Sequence, residues 1–181
     1  MKDRVWTISN ALSFLRILLV VPLAFFLLSE KESSHWWAVG IMIVEAVTDI
    51  LDGILARALH QESEFGKILD PLADKVGIAV VIIILLVRGF LPTWFVVVAL
   101  IRDGLILGGA LYVKTKKTVV LQSNAIGKLT ICLIAALILV STLNLAALEL
   151  TRIILLAAST VMIAISILVY AQRFYRVVTE G

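Results

Sequence analysis

The chain has 181 residues, of which 61% are hydrophobic and 16% are charged, and its mean hydropathy is +1.08. Water-soluble domains are about 45–50% apolar and about 25% charged, so this composition excludes a disordered chain, a fibrous repeat and a water-soluble domain. Several apolar runs approach the roughly 20 residues that a helix needs to cross a bilayer. The sequence therefore predicts an all-α polytopic membrane protein that forms a single domain over residues 1–181.

The net charge of +3 arises from 16 Lys and Arg residues against 13 Asp and Glu residues. A basic balance can indicate nucleic-acid binding. Here the basic residues lie between apolar runs, where such residues control topology and contact anionic lipid head groups. We therefore expect membrane lipids, and not nucleic acid, as partners.

Six apolar segments are predicted to be transmembrane helices. In chain order they are Ile8–Leu28, Trp36–Leu59, Gly66–Val87, Thr93–Val113, Ala125–Thr142 and Glu149–Tyr170. Residues 1–7 combine apolar and charged side chains, which is typical of a short interfacial helix that lies on the membrane.

Basic residues concentrate at one set of helix ends. These ends carry Lys2, Arg4, Arg57, Lys67, Lys114, Lys116, Lys117, Lys128, Arg173 and Arg176, whereas the opposite ends carry Lys31, Arg88 and Arg152. Short loops rich in Lys and Arg remain in the cytoplasm. The pattern predicts a protein of the cytoplasmic (inner) membrane with both termini on the cytoplasmic side, which agrees with an even number of spans.

Four aspartates interrupt the second and third predicted helices near their cytoplasmic ends: Asp49, Asp52, Asp70 and Asp74. An acid inside a membrane is costly unless it is paired, solvated or bound to a cation, which makes it a functional candidate. The i, i+3 and i, i+4 spacings put each pair on one helix face. The two helices are antiparallel neighbours, and both Asp49 and Asp74 lie about 12 Å from the turn. We expect the four carboxylates to meet at one depth.

Four carboxylates at one point require positive charge. Oxygen ligands of this kind favour Mg²⁺, Mn²⁺ or Ca²⁺ over zinc, and two ions about 3.5–4 Å apart would suit phosphoryl chemistry. The alternative is that the acids are solvated by lipid head groups at the helix ends. That alternative does not account for the facing pairs.

Small residues and an arginine lie among the acids: Gly53, Ala56, Arg57 and Gly66. The small residues leave a groove in which a ligand can approach the helix backbone, and Arg57 offers a planar, permanently charged fork that suits phosphate. The alternative for the small residues is close packing between helices.

These residues form the pattern D-x2-D-G-x2-A-R-x8-G-x3-D-x3-D from Asp49 to Asp74, which resembles the motif of the CDP-alcohol phosphotransferase family at all eight fixed positions. The resemblance implies transfer of a phosphatidyl group from CDP-diacylglycerol to an alcohol with release of CMP. It implies two divalent ions, Mg²⁺ or Mn²⁺, on the four aspartates. It also implies a CDP site shaped by Gly53, Ala56, Arg57 and Gly66, with Asp74 as the general base, in a homodimer.

The acceptor is expected to be sn-glycerol 3-phosphate, which would give phosphatidylglycerophosphate. Cardiolipin synthesis from phosphatidylglycerol and synthesis of phosphatidylinositol phosphate are the alternatives. Candidate contacts to the acceptor or to phosphate are Lys128, Lys114, Arg16 and Arg102. Lys128 follows Gly127 in a segment that resembles the start of the fifth helix in phosphatidylglycerophosphate and cardiolipin synthases of the family.

Each of these basic residues has a structural alternative. Lys114 is suited to setting topology, and Arg102 could brace the helix bundle as one member of a buried pair with Asp103. Arg16 could extend to the interface. A function of another class, cation transport, predicts acids near the middle of the membrane and an internal repeat. The acids lie near one face, and no convincing repeat is found.

Overall fold

The computed structural model describes the backbone of residues 8–59, 66–117 and 125–180, and the side chains of residues 12–51, 75–109, 112, 125–176 and 179. Within these ranges the chain is helical and contains no strand. The helices are α1 (Ile8–Leu28), α2 (Glu32–Leu59), α3 (Gly66–Val87), α4 (Thr93–Lys117), α5 (Ala125–Leu143) and α6 (Glu149–Glu180), with a 3₁₀ turn at Ala146–Leu148. The all-α prediction is confirmed, and the predicted interfacial helix over residues 1–7 lies outside the described residues.

Three helices are longer than their apolar runs. α2 begins at Glu32 and not at Trp36, α4 continues beyond Val113 to Lys117, and α6 continues beyond Tyr170 to Glu180. An apolar run marks the part of a helix that can lie in lipid, whereas backbone hydrogen bonding continues into polar flanks. Hydropathy therefore located the helices but underestimated their length.

Two helical segments are long and apolar enough to cross a membrane, Ala125–Leu143 and Ala146–Arg176. Shorter apolar helical segments cover Leu12–Leu28 and Lys75–Val87. Large apolar side chains are exposed along the helices, for example Val21 and Phe25 on α1 and Leu168 on α6. Exposed apolar surface of this extent is typical of a surface that contacts lipid.

The helices divide into two compact units, Met1–Phe90 and Leu91–Gly181. In the first unit α1 packs against both α2 and α3. Its buried apolar core contains Leu23, Leu27, Ala38, Val81, Ile84 and Leu85. Near the end of α1, the ring of Phe26 stacks on that of Trp37 near the start of α2, with 6.2 Å between the ring centroids.

Arg88 joins the end of α3 to the end of α1. Its Nη1 atom donates hydrogen bonds to the carbonyl oxygens of Leu27 and Ser29, both at 2.9 Å. Its guanidinium lies 5.2 Å from the ring centroid of Phe90. The last carbonyls of a helix lack partners within the helix and carry partial negative charge. Arg88 therefore caps α1 from a neighbouring helix.

The chain leaves α3 through Gly89, whose φ is +74°. The N–H of Gly89 donates to Leu86 O at 3.0 Å, and the N–H of Phe90 donates to Leu85 O at 2.8 Å. These two bonds form a Schellman C-cap, which requires a left-handed residue that glycine adopts without a Cβ penalty. The turn fixes Arg88 and Phe90 beside the end of α1.

In the second unit α6 packs against α4 and α5. The buried apolar residues are Leu91, Phe95, Leu137 and Ile163, and small polar residues are buried between them: Thr130, Ser141, Thr142, Ser159 and Ser166. Thr130 Oγ1 donates to Ile126 O at 2.7 Å and lies 3.3 Å from Met162 O on α6. Small polar side chains of this kind allow membrane helices to approach closely.

Replacement of Arg88 by Gln should destabilise the first unit. The variant loses two hydrogen bonds from a charged donor, so the free energy of unfolding should fall by about 1–3 kcal/mol and the apparent Tm by several degrees. Thermal unfolding of the purified protein in detergent measures this. Arg152→Gln is the matched control, because Arg152 pairs with the exposed Glu149 on its own helix and exposed pairs contribute little. Equal stability of the two variants would contradict the capping role.

Candidate active site

The four motif aspartates lie on α2 and α3, the two helices on either side of residues 60–65 in the sequence. Asp49 and Asp52 belong to α2, and Asp70 and Asp74 belong to α3. The side chain of Asp49 is described. The side chain of Lys114 on α4 lies outside the described set. The same holds for the other predicted site residues of the motif, which are Asp52, Gly53, Ala56, Arg57, Gly66, Asp70 and Asp74.

Arg16 on α1 pairs with Asp49. Its Nη1 atom donates to Asp49 Oδ1 at 2.9 Å, and its Nη2 atom donates to Ser13 Oγ at 3.3 Å. The Arg16 side chain is 4% exposed and the Asp49 side chain is 52% exposed. Extension of Arg16 to the interface is therefore wrong for this side chain, which is buried against the first aspartate of the motif.

A close approach of α3 lies one turn from this pair. Gly77 is buried, and a Cβ at this position would lie 3.9 Å from Val20 Cγ2 and 4.0 Å from Glu45 Oε2. Val20 follows Arg16 by one turn on α1, and Glu45 precedes Asp49 by one turn on α2. Beside the Arg16–Asp49 pair, α1 therefore packs directly on α2 and α3, and α2 reaches α3 through the end of the Glu45 side chain.

The same contacts indicate the register of α3. α1 and α3 run in the same direction, because Val20 lies near Gly77 whereas the later Leu27 lies near Arg88. One turn back along each helix leads from Val20 to Arg16 and from Gly77 to residues 73 and 74. The backbone of α3 at position 74 is thus at about the level of Arg16 and Asp49.

Glu45 is an acidic residue that the sequence analysis missed. It is half-buried on α2 and lies four residues before Asp49. The positions of Glu45, Asp49 and Asp52 follow the i, i+4, i+7 spacing of one helix face. This periodicity was available in the sequence and would have identified a longer acidic stripe.

No group of three potential metal ligands comes together among the described side chains, which include Asp49 but not the other three predicted ligands. The Asp49 side chain is half exposed, so its carboxylate can meet an ion although Oδ1 is paired with Arg16. A set of carboxylate donors also suits a hard divalent ion. The residues therefore fit the predicted metals in chemical type.

Arg102 of the second unit connects α4 to α6. Its Nε and Nη2 atoms donate to Ser166 Oγ at 3.3 and 3.1 Å, and its Nη1 atom donates to Asp103 Oδ1 at 2.6 Å. The Arg102 side chain is 6% exposed, but that of Asp103 is 67% exposed. The expectation of a buried pair is wrong for Asp103, because successive residues on a helix point about 100° apart.

Lys128 is exposed near the start of α5, directly after the buried Gly127. Among the predicted site residues with described side chains, the structure thus brings Arg16 to Asp49 and ties Arg102 to Asp103 and Ser166.

The sequence model of the CDP-alcohol phosphatidyltransferase family matches residues 6–172. The chain belongs to this family. Together with its two long apolar helices, this membership identifies it as an integral membrane protein.

The chain is similar to relatives with two different names. It is 40% identical over 109 residues to a cardiolipin synthase (CMP-forming) of Streptomyces coelicolor, a match that covers 58% of this chain and 50% of that protein. It is 38% identical over 92 residues to a CDP-diacylglycerol–glycerol-3-phosphate 3-phosphatidyltransferase of Cereibacter sphaeroides, covering 50% of this chain and 42% of that protein. A CDP-diacylglycerol–glycerol-3-phosphate 3-phosphatidyltransferase of Bacillus subtilis is 37% identical over 96 residues, a match that covers 53% of this chain and 49% of that protein. The chain thus spans about half the length of the relatives it matches.

Substitutions at Gly77 test the close approach of the three helices. Ala at this position makes only ordinary contacts at 3.9 and 4.0 Å, so it should stabilise α3 by about 0.5–1 kcal/mol. Leu should overpack the site and destabilise the protein by about 1–3 kcal/mol. Thermal unfolding in detergent measures both. Gly40→Leu is the control, because nothing lies within 4 Å of a Cβ there. If Gly77→Leu were as stable as Gly40→Leu, the proposed packing would be incorrect.

Proposed function

We propose that this protein is a CDP-diacylglycerol-dependent phosphatidyltransferase of phospholipid biosynthesis. The acceptor that we propose is sn-glycerol 3-phosphate, which would give phosphatidylglycerophosphate and CMP. Family membership supports the reaction class, and the names of two relatives support this acceptor. The observation that carries the proposal is the family motif on α2 and α3, with its first aspartate held by a buried arginine.

Two divalent ions, Mg²⁺ or Mn²⁺, are proposed to bind to the four motif aspartates: Asp49, Asp52, Asp70 and Asp74. The support is the carboxylate donor set, the exposed Asp49 side chain, and the level of backbone position 74 on α3. When bound, such ions neutralise a diphosphate and stabilise the charge on a leaving phosphate.

The remaining motif residues are proposed to bind the donor. Gly53, Ala56 and Gly66 leave room for the cytidine and diphosphate, and Arg57 pairs with phosphate oxygens. Asp74 accepts the proton of the acceptor hydroxyl while the hydroxyl oxygen attacks the phosphatidyl phosphorus. A new P–O bond forms to the acceptor, the P–O bond to the bridging oxygen breaks, and CMP leaves with the electron pair of that bond.

The acceptor is proposed to bind to the basic residues Lys114, Lys128 and Arg102, and Arg16 stays a candidate phosphate contact. Lys128 is exposed and therefore accessible to a soluble phosphate. Arg102 already donates to Ser166 and Asp103. The bonds to Ser166 join α4 to α6, so they would also fix the position from which Arg102 contacts the acceptor.

The six helices are proposed to form six membrane spans in a single domain over residues 1–181, with residues 1–7 on the membrane surface. α5, with 19 residues, would extend about 28 Å, close to the thickness of a hydrocarbon core. The positions of the basic residues support cytoplasmic termini and an active site on the cytoplasmic side of the inner membrane. The exposed Trp36, Trp37 and Trp94 suit the opposite interface. A homodimer is carried over from the family resemblance.

Cardiolipin synthesis is the second candidate function, because the Streptomyces coelicolor relative has that name. The two reactions share the donor and the metal chemistry. They differ in the acceptor, which is a soluble phosphate in one case and a membrane lipid in the other.

A direct assay separates the two functions. We expect purified protein with CDP-diacylglycerol and Mn²⁺ or Mg²⁺ to release CMP when sn-glycerol 3-phosphate is added. Asp74→Asn should abolish release, whereas Glu149→Gln, an exposed acid of α6 outside the motif, should retain it. CMP release with phosphatidylglycerol alone would favour cardiolipin synthesis, and near-normal turnover by Asp74→Asn would contradict its role as the base.

Lys128→Ala tests the proposed acceptor contact. Loss of one charged hydrogen bond to the acceptor phosphate should raise the KM for glycerol 3-phosphate about tenfold, with a smaller effect on the KM for CDP-diacylglycerol. Initial rates of CMP release at varied acceptor concentration measure this. Lys31→Ala is the control, because Lys31 precedes α2 and lies at the opposite helix ends. An unchanged KM for glycerol 3-phosphate would remove Lys128 from the acceptor site.

A further inference from the structure

A buried arginine in a membrane helix requires a charge partner. Arg16 is 3% exposed in the interior of α1, and its partners include the Asp49 carboxylate and the Ser13 hydroxyl. Removal of Asp49 would leave the buried guanidinium without its carboxylate, which is strongly destabilising. The pair therefore links the fold of the first unit to the first aspartate of the motif.

The two members of the pair differ in their surroundings. The guanidinium is enclosed, whereas the Asp49 side chain is 52% exposed. The ion pair uses Oδ1 of Asp49, and Oδ2 is not part of that bond. Ser13, one turn earlier on the same helix, accepts a hydrogen bond from Nη2 and so fixes the guanidinium with respect to α1. Arg16 thus holds Oδ1 of a carboxylate that is half exposed.

We propose that Arg16 is a positioning residue that acts as the resident cation of Asp49. It neutralises and orients this carboxylate before a divalent ion binds, and it weakens the binding of that ion. This inference rests on the proposed function, because it takes Asp49 to be a metal ligand.

The second half of the proposal follows from the sign of the charges. Arg16 and a divalent ion are both positive, and both interact with one carboxylate. Their repulsion at short range lowers the affinity of Asp49 for the ion. In a protein that lacks Arg16, both oxygens of the Asp49 carboxylate can bind the ion. When no ion is present, that carboxylate has lost the ion pair with Arg16. Stability without metal and affinity for metal should therefore change in opposite directions.

The experiment compares wild type with Arg16→Gln in detergent, using Mn²⁺ as the probe. Apparent Tm is measured in EDTA and across a Mn²⁺ titration, and Mn²⁺ affinity is measured separately from the paramagnetic resonance of free Mn²⁺. We expect Arg16→Gln to have a lower Tm in EDTA, a larger rise in Tm with Mn²⁺, and about tenfold tighter Mn²⁺ binding. Arg16→Lys keeps the positive charge and should bind Mn²⁺ as wild type does.

Arg88→Gln is the matched control for a purely structural effect. It removes the same charge from the same unit at the other end of α1. This variant should lower the Tm in EDTA without tightening Mn²⁺ binding. Ser13→Ala keeps both charges of the pair and should likewise leave the Mn²⁺ affinity within about twofold of wild type.

The outcomes separate this inference from the proposed function. If wild type binds Mn²⁺, Asp49→Asn weakens that binding and Arg16→Gln does not strengthen it, the inference is wrong and the proposed function stands. A rise only in the KM for CDP-diacylglycerol, with unchanged Mn²⁺ affinity, also overturns it and identifies Arg16 as a donor contact. If wild type neither binds Mn²⁺ nor is stabilised by it, both are wrong.

Discussion

The cost of placing charge inside a membrane protein governs this structure. Arg16 and Asp49 are separated by 33 positions in the chain, and they meet at 2.9 Å on neighbouring helices. The enclosed guanidinium requires a partner at such a site. The ion pair joins α1 to α2 at the first motif aspartate. The proposed chemistry depends on this placement, because catalysis requires the motif carboxylates and the ions they hold to be in position before the substrate phosphate binds.

The rest of the first unit holds that pair in place. Arg88 and the turn at Gly89 fix the far end of α1 against α3. The buried Gly77 of α3 faces Val20 and Glu45, one turn from the pair. The polar contacts of this unit thus occur in the interior of α1 at Arg16 and at its C-terminal end, and an apolar core of Leu23, Leu27, Val81 and Leu85 lies near that end. The motif lies at the opposite end of the first unit from the Arg88 cap.

The sequence predicted helices better than it predicted contacts. The bounds of α1 and α3 agree with prediction at both ends, because polar or helix-breaking residues flank their apolar runs. α2 and α6 were underestimated because hydropathy does not detect polar helical ends. The partner of Arg16 was not predictable, since spacing defines one face of a helix but not the helix that this face meets. Glu45 was predictable from its i−4 relation to Asp49, and the exposure of Asp103 followed from its position next to the buried Arg102.

The central claim is that two divalent ions bind between α2 and α3 on the motif aspartates. Anomalous scattering from crystals grown with Mn²⁺, recorded at the manganese edge, tests it most directly. We predict two peaks about 3.5–4 Å apart, with Asp49 Oδ2 among the ligands and Oδ1 still bonded to Arg16. Absence of manganese at Asp49, or motif carboxylates that point apart and cannot share ions, would contradict the account.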